Sequence, residues 1–316
     1  MTPDVSIVVS TYNRCDSLLG TLKGLVDQDS QGLRYEVIVV DNNSTDQTRR
    51  VAQDFCNAHR DRMIYCFEPQ QGVSFARNKG MSIARGPIIA ITDDDIVPAS
   101  NWVSSVRAAF DRFPEADCAG GKVLPEPQLD LPEWLTPENW SAMAFLDMGD
   151  ETKRLDVLNG PGLVGANLAF RAAVLNEVGD FNPQLQRVKN TIGSMEDHEY
   201  QLRLGKAHKH IFYFPEMVVY ANVFPERLTK TYHRRWHFGH GSFYALMKSP
   251  EFESSRLTFL DIPGHVYRRV FSNAYDCLKY RLSNKPALEF QSELEMRFFL
   301  GFIRKRLSER RGAKLS

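Results

Sequence analysis

The 316 residues, 43% of them hydrophobic, are enough to bury a sizeable core, and 39 Lys and Arg balance 39 Asp and Glu, so no global charge argues for a nucleic-acid partner. Five irregularly spaced cysteines, with no CxxC pair and no matching zinc ligands, read as free thiols in a reducing compartment. No apolar run approaches the roughly 20 residues of a membrane span, and the start, MTPDVSIVVS, reads as a strand rather than a signal peptide, which points to a cytoplasmic protein.

The unbroken apolar run VSIVVS (5–10) predicts a buried strand, and the amphipathic CDSLLGTLKGLVDQ predicts a helix after the polar turn at 11–14. Strands at 35–41, 62–68 and 87–92 then alternate with the helical stretches TDQTRRVAQDFCNAH and SFARNKGMSIAR. Val/Ile runs separated by helices indicate a mostly parallel sheet covered on both faces. Such α/β sheets bind ligands at the carboxyl ends of their strands.

Those strand ends are polar. The first runs into Thr11, Asn13 and Arg14, the second into Asp41, and the fourth into Asp93, Asp94 and Asp95. Adjacent carboxylates can hold Mg²⁺ or Mn²⁺, which take oxygen ligands; equally, they can cap a helix starting at Pro98. In GVSFARNKG, Arg77 can grip phosphate in two-point fashion or form an ordinary surface ion pair. No GxxxxGK[ST] occurs, and no GxGxxG follows the first strand, which disfavours P-loop and dinucleotide sites.

Beyond residue 120 the regularity stops. LPEPQLDLPEWLTPENW reads as irregular, RAAVLNEVGDFN as a helix closed by Gly179, SMEDHEYQLRLGKAH as a helix and KHIFYFPEMVVY as a strand. Within SMEDHEY, Ser194 and Asp197 match a capping box; alternatively Glu196 or Asp197 serves as a base that takes a proton from a nucleophile. From Pro225 the pattern is helical, basic and aromatic. The divisions read as 1–120, 121–224 with a mixed character, and a helical extension over 225–316.

VSIVVSTYNR, VIVVDNNSTDQT, GVSFARNKG, ITDDDIVP, GANLAFR…VGDFN and SMEDHEY occur in that order. In this the chain resembles the family 2 glycosyltransferases, over residues 4 to about 245. The resemblance implies the GT-A fold, a Rossmann-like sheet whose first half binds a nucleotide sugar and whose second half binds the acceptor and carries the base. It implies transfer from a nucleoside-diphosphate sugar, a UDP-sugar by preference, to an acceptor hydroxyl with inversion, in bacterial polysaccharide or glycoconjugate synthesis. Thr11, Asn13, Arg14, Asp41, Arg77, Asn78, Asp93 and Asp94 would then line the donor pocket. Asp93 and Asp95 would form the DxD motif that holds Mn²⁺ or Mg²⁺, with Asp95 the direct ligand. Asp197 would be the base, with Glu196 its alternative or supporting partner. The acceptor would be a glycan, a lipid-linked glycan or a small molecule.

Two positions depart from that pattern. Asn222 stands where the family often has a His before PERLT, and Asn42 stands where a second acid is common. His233, Arg234, Arg235, His237 and His240 follow Asn222 closely and offer substitutes, or else form a basic helix face. The tail from Gly264 carries about 12 Lys and Arg against about 5 acids. It either packs its apolar side on the protein or lies on an anionic membrane surface at the inner face. The competing readings are a nucleotide-sugar-binding module with decayed catalysis and a nucleotidyltransferase; the latter lacks its Gly-rich basic loop after the first strand.

Overall fold

The computed structural model describes residues 2–186, 195–248, 250–253 and 257–312. The chain divides into two compact units. The first comprises Met1–Leu129, Ala144–Lys189 and Glu196–Val223; the second comprises Asp130–Met143, Asn190–Met195 and Phe224–Ser316.

The first unit opens with β1 (Val5–Thr11), α1 (Cys15–Val26), β2 (Tyr35–Asp41), α2 (Thr48–Ala58), β3 (Met63–Phe67), α3 (Val73–Ile83) and β4 (Ile88–Asp93). Every residue of β1 and β2 is buried, as continuous apolar runs in a two-sided sheet require. β5 (Ile96–Pro98), α4 (Trp102–Arg112), β6 (Cys118–Pro125), β7 (Lys153–Leu155), β8 (Leu168–Arg171), α5 (Leu175–Val178), α6 (Glu196–Lys206) and β9 (Ile211–Ala221) follow. Among the described residues these strands form one sheet in the order β3-β2-β1-β4-β8-β6-β9-β5, with β7 on β9. β3, β2, β1 and β4 are parallel, while β8 runs antiparallel to both of its neighbours.

Two corrections to the sequence reading concern local structure. The stretch after the Asp triplet does not start a helix at Pro98. It forms the short strand β5, which pairs with β9, and the helix begins at Trp102. The helix predicted in RAAVLNEVGDFN is closed by Gly179 as expected, at φ +73°, but its first turn, Ala172–Val174, is 3₁₀ and only the one-turn α5 is α-helical. The capping reading at Ser194 lies outside the described residues.

β9 contains Pro215, which cannot donate to a ladder. The β6–β9 register shifts between Gly120 and Lys122, where β9 bulges around the proline. Gly121 is required there, because a Cβ would stand 2.1 Å from the Met217 carbonyl oxygen. One layer of this unit's core is an apolar cluster from Val8, Ile38 and Ile91 through Phe170 to Tyr200 and Tyr213, while Ile7, Val9, Leu18, Leu22, Val39 and Trp102 are wholly buried outside that cluster.

The second unit contains α7 (Lys230–Met247), α8 (Pro250–Glu253), a hairpin of β10 (Thr258–Phe259) and β11 (Ile262–Pro263), α9 (Gly264–Leu282) and α10 (Pro286–Gly312). Ala245, Phe252, Ile262, Val266 and Phe302 form its own core. The hairpin breaks the wholly helical pattern expected after Pro225. No described helix is long and apolar enough to cross a membrane.

Candidate active site

Parallel pairing brings the polar strand ends together: Thr11 lies beside Asp41, and Ser10 beside Asp93. Here the C-terminal ends of β2, β1 and β4 form a single edge, as the sequence predicts.

Asn13 adopts φ +50° and spends its side chain on the neighbouring loop. Its Oδ1 accepts from the Thr45 N–H at 2.8 Å, and its own N–H donates to the Ser44 hydroxyl at 3.1 Å. The Arg14 N–H donates to the Thr48 hydroxyl at 2.8 Å. Asp41 is wholly buried and accepts from the Ser44 N–H at 2.9 Å and the Tyr65 hydroxyl at 3.0 Å. Burial and Asp41 together push the Tyr65 phenol up to about 12. These three residues thus build the edge as well as lying on it.

The Asp triplet turns the chain from β4 into β5. Asp94 is buried, and burial together with Asp95 pushes its carboxyl up to about 7, while the Thr11 hydroxyl and the Arg14 guanidinium pull it back. The Asp95 carbonyl accepts from the Asn222 N–H at 2.8 Å, so Asn222 stands beside the triplet. His233 and His237 belong to the second unit.

Arg77 is the centre of the site. α3 lies so close on β1 that a Cβ on Gly80 would stand 2.3 Å from Val8 Cγ1, and this approach carries Arg77 beneath the β4 end. Its buried guanidinium donates from Nη2 to Asp93 at 3.1 Å and from Nη1 to Glu196 at 2.9 Å. Burial opposes its charge, but Asp93, Glu196 and Asp197 outweigh burial and raise its pKa. Asn78 turns both arms of its amide to Phe181, donating to the carbonyl and accepting from the N–H, each at 2.9 Å.

Asp197 is only half-buried, and its Oδ2 accepts from the Gly165 N–H at 2.9 Å. Gln201 and Thr92, to which no sequence motif assigns a role, hold this loop. Gln201 on α6 accepts from the Leu163 N–H at 2.7 Å and donates to its carbonyl at 2.9 Å. The Thr92 hydroxyl donates to the Ala166 carbonyl at 2.7 Å. A Cβ on Gly165 would stand 3.0 Å from Arg77 and 3.1 Å from Asp197, so this glycine keeps the space between them open.

Among the described residues no three His, Cys, Asp or Glu side chains form a closed metal cage. The all-oxygen triplet nevertheless fits a hard divalent cation, since Mg²⁺-type sites use one or two carboxylates and take the rest from water and phosphate. Burial is the main cause of the raised Asp94 carboxyl, with the adjacent Asp95 and Asp93 carboxylates adding to it.

The fold is the GT-A arrangement, shared with solved glycosyltransferases. The mannosyltransferase PcManGT from Pyrobaculum calidifontis, in complex with GDP-Man and Mn²⁺, is 18% identical with a TM-score of 0.63, covering 98% of this chain and 88% of that one. S. aureus TarS 1–349 in complex with UDP-GlcNAc is 18% identical with a TM-score of 0.55, covering 93% and 91%. Among curated relatives, a glucosyl-dolichyl phosphate glucuronosyltransferase of Haloferax volcanii is 29% identical over 185 residues, 58% of this chain and 57% of the relative. The chain spans about half the length of the curated relatives it matches. The model of the family "Glycosyl transferase family 2" matches residues 6–179, more than half of the sequence, and the chain belongs to that family.

Proposed function

We propose that this chain transfers a sugar from a nucleoside-diphosphate sugar to an acceptor hydroxyl, inverting the anomeric carbon. The observation that carries the reading is the buried Arg77, which joins Asp93 at the end of β4 to the start of α6, where Asp197 lies beside Glu196. A donor-side carboxylate and a candidate base thereby share one edge of the sheet.

In this reading Asp197 is the base, because it is half-open and Glu196 is buried against Arg77. The acceptor oxygen attacks the anomeric carbon and passes its proton to Asp197. The bond from that carbon to the diphosphate breaks, and the leaving group takes the electron pair. The Gly165 N–H orients Asp197 for this step. Asp93 and Asp95 would hold Mn²⁺ or Mg²⁺, which when bound neutralises charge on the diphosphate. Thr11, Asn13, Arg14 and Asp41 shape the donor end, with uridine the base implied by the resemblance. Asn78 acts by fixing α3 to Phe181. Glycans and lipid-linked glycans are the acceptor classes we favour.

The test is acceptor-dependent release of nucleoside diphosphate from a panel of UDP- and GDP-sugars, with the product's anomeric configuration read by NMR. Donor binding without release across all acceptors would leave only a binding module. Retained configuration would remove the single-displacement mechanism.

A further inference from the structure

The outward side of α9 carries an apolar stripe that the sugar-transfer reading does not use. At about 100° per residue, Tyr267, Phe271, Tyr275, Leu278 and Leu282 fall within an arc of about 80°. Phe271 is 74% exposed, Tyr275 68%, Leu278 57% and Leu282 79%, whereas Val266 and Asn273 on the other side are buried. The stripe continues onto the β10–β11 hairpin, where Phe259, itself 65% exposed, meets the Tyr267 ring edge-on at 6.1 Å.

Cations border this stripe. Arg268 and Lys279 lie along one edge and Arg281, paired with Glu289, along the other. Asp276, the one carboxylate of the helix, lies on roughly the opposite side. Contiguous exposed apolar surface rimmed by charge marks an interaction face. Aromatic and Leu side chains between basic flanks suit the boundary of acyl chains and anionic head groups. A second copy of the same stripe would set Arg268 and Lys279 against like charges, which disfavours self-pairing.

We propose that the outward face of α9, with the adjoining hairpin, seats this protein on the surface of a membrane that carries anionic lipids. Phe271, Tyr275, Leu278 and Leu282 enter the boundary while Arg268 and Lys279 meet lipid phosphates. The seat does not depend on which sugar is transferred.

The test is cosedimentation of the full chain with vesicles of phosphatidylcholine alone or mixed with phosphatidylglycerol. We expect binding to the mixed vesicles that weakens as salt rises. Phe271→Ser with Leu278→Ser should lower that binding at least about tenfold. Arg268→Gln with Lys279→Gln should lower it about fivefold per charge on the anionic vesicles alone. Both double variants change exposed side chains, and unchanged thermal melts would verify their folding. Wild-type protein left in the supernatant with both vesicle types would overturn the proposal, as would binding indifferent to both variants. A dimer in sedimentation velocity that Phe271→Ser with Leu278→Ser dissolves, without vesicle binding, would also overturn it and make the face a self-association surface.

Discussion

Arg77 Nη1 stands 2.9 Å from Glu196 Oε1, a contact between residues 119 apart in sequence. The same guanidinium reaches Asp93, so one buried cation holds two carboxylates from different elements. Removing one partner of a buried ion pair leaves the others' charge uncompensated, which costs about 3–5 kcal/mol. Arg77→Met should therefore lower the urea midpoint strongly. Adding Glu196→Gln should recover part of the loss, because it removes one of the stranded charges. A residue that only bound donor phosphate would leave the midpoint of the ligand-free protein unchanged, and that result would remove Arg77 from the framework.

Asp197 differs from its neighbour in what its replacement should cost. Its Oδ2 accepts from Gly165 and its Oδ1 from the His198 N–H at 2.8 Å. An Asn side chain has one acceptor oxygen, so Asp197→Asn should lose one of these bonds and about 1 kcal/mol. As a general base its loss should cut turnover about 10²–10⁴-fold. Donor affinity, measured by calorimetry, should stay close to wild type. Full turnover in Asp197→Asn would place the base elsewhere.

Metal dependence can be read without turnover. In chelator-treated protein, UDP or GDP with Mn²⁺ should raise the melting temperature more than the sum of either alone, because phosphate oxygens complete the ion's coordination. At a ligand concentration about 100 times Kd the stabilisation is about 2.7 kcal/mol. Asp95→Asn should abolish the Mn²⁺-dependent increment. An equal increment in this variant would exclude Asp95 as a ligand.

Much of this framework is legible in the sequence, for definite reasons. Strands buried on both faces read as nearly unbroken Val and Ile, so β1, β2 and β4 lie within a residue or two of where the sequence puts them; the partly buried edge strand β3, MIYCF, does so too, marked by its β-branched and aromatic residues. The antiparallel insertion of β8 between β4 and β6 is not legible, since strand order depends on pairing rather than composition. At the site, Asp93 and Glu196 stand out one by one. Their common tie to Arg77 does not, because it needs the close packing of Gly80 on Val8. Asn13 and Asp41 look like ligand contacts because polar strand ends do. The sequence gives no sign that their hydrogen-bonding groups already serve neighbouring loops.

Asn42 shows how a departure from the family pattern can be structural. Its Nδ2 donates to the Gln70 carbonyl at 2.6 Å and its Oδ1 accepts from the Gly72 N–H at 2.7 Å. A carboxylate accepts but cannot donate. Asn42→Asp should leave the Gln70 carbonyl facing an anion and lower stability by about 1–3 kcal/mol. Thermal melts would measure this, and an unchanged melting temperature would show that the loop accommodates an acid.

The final prediction concerns the second unit and pH. His233 is wholly buried on α7, and His237 lies one turn later on the same side. Burial pushes both imidazoles down to about 4, with the charge of His233 also opposing that of His237. In the unfolded chain each titrates near 6.5. A depressed folded pKa means that the unfolded state binds more protons between these values, so stability rises with pH across this window. The contribution is fully present above about 6.5, declines as pH falls toward about 4, and is lost below. It is on the order of 2–3 kcal/mol for His233 and smaller for the partly exposed His237. Trp134 meets the His233 ring edge-on at 4.9 Å, so tryptophan emission can follow the transition. His233→Phe keeps an aromatic ring beside Trp134 but cannot titrate. Its melting temperature should fall less than that of wild type between pH 7 and pH 5. Carboxylates that titrate in the same range affect both proteins alike, so the difference isolates His233. Equal pH slopes in the two proteins would mean that protonation of His233 does not drive the acid sensitivity of this unit.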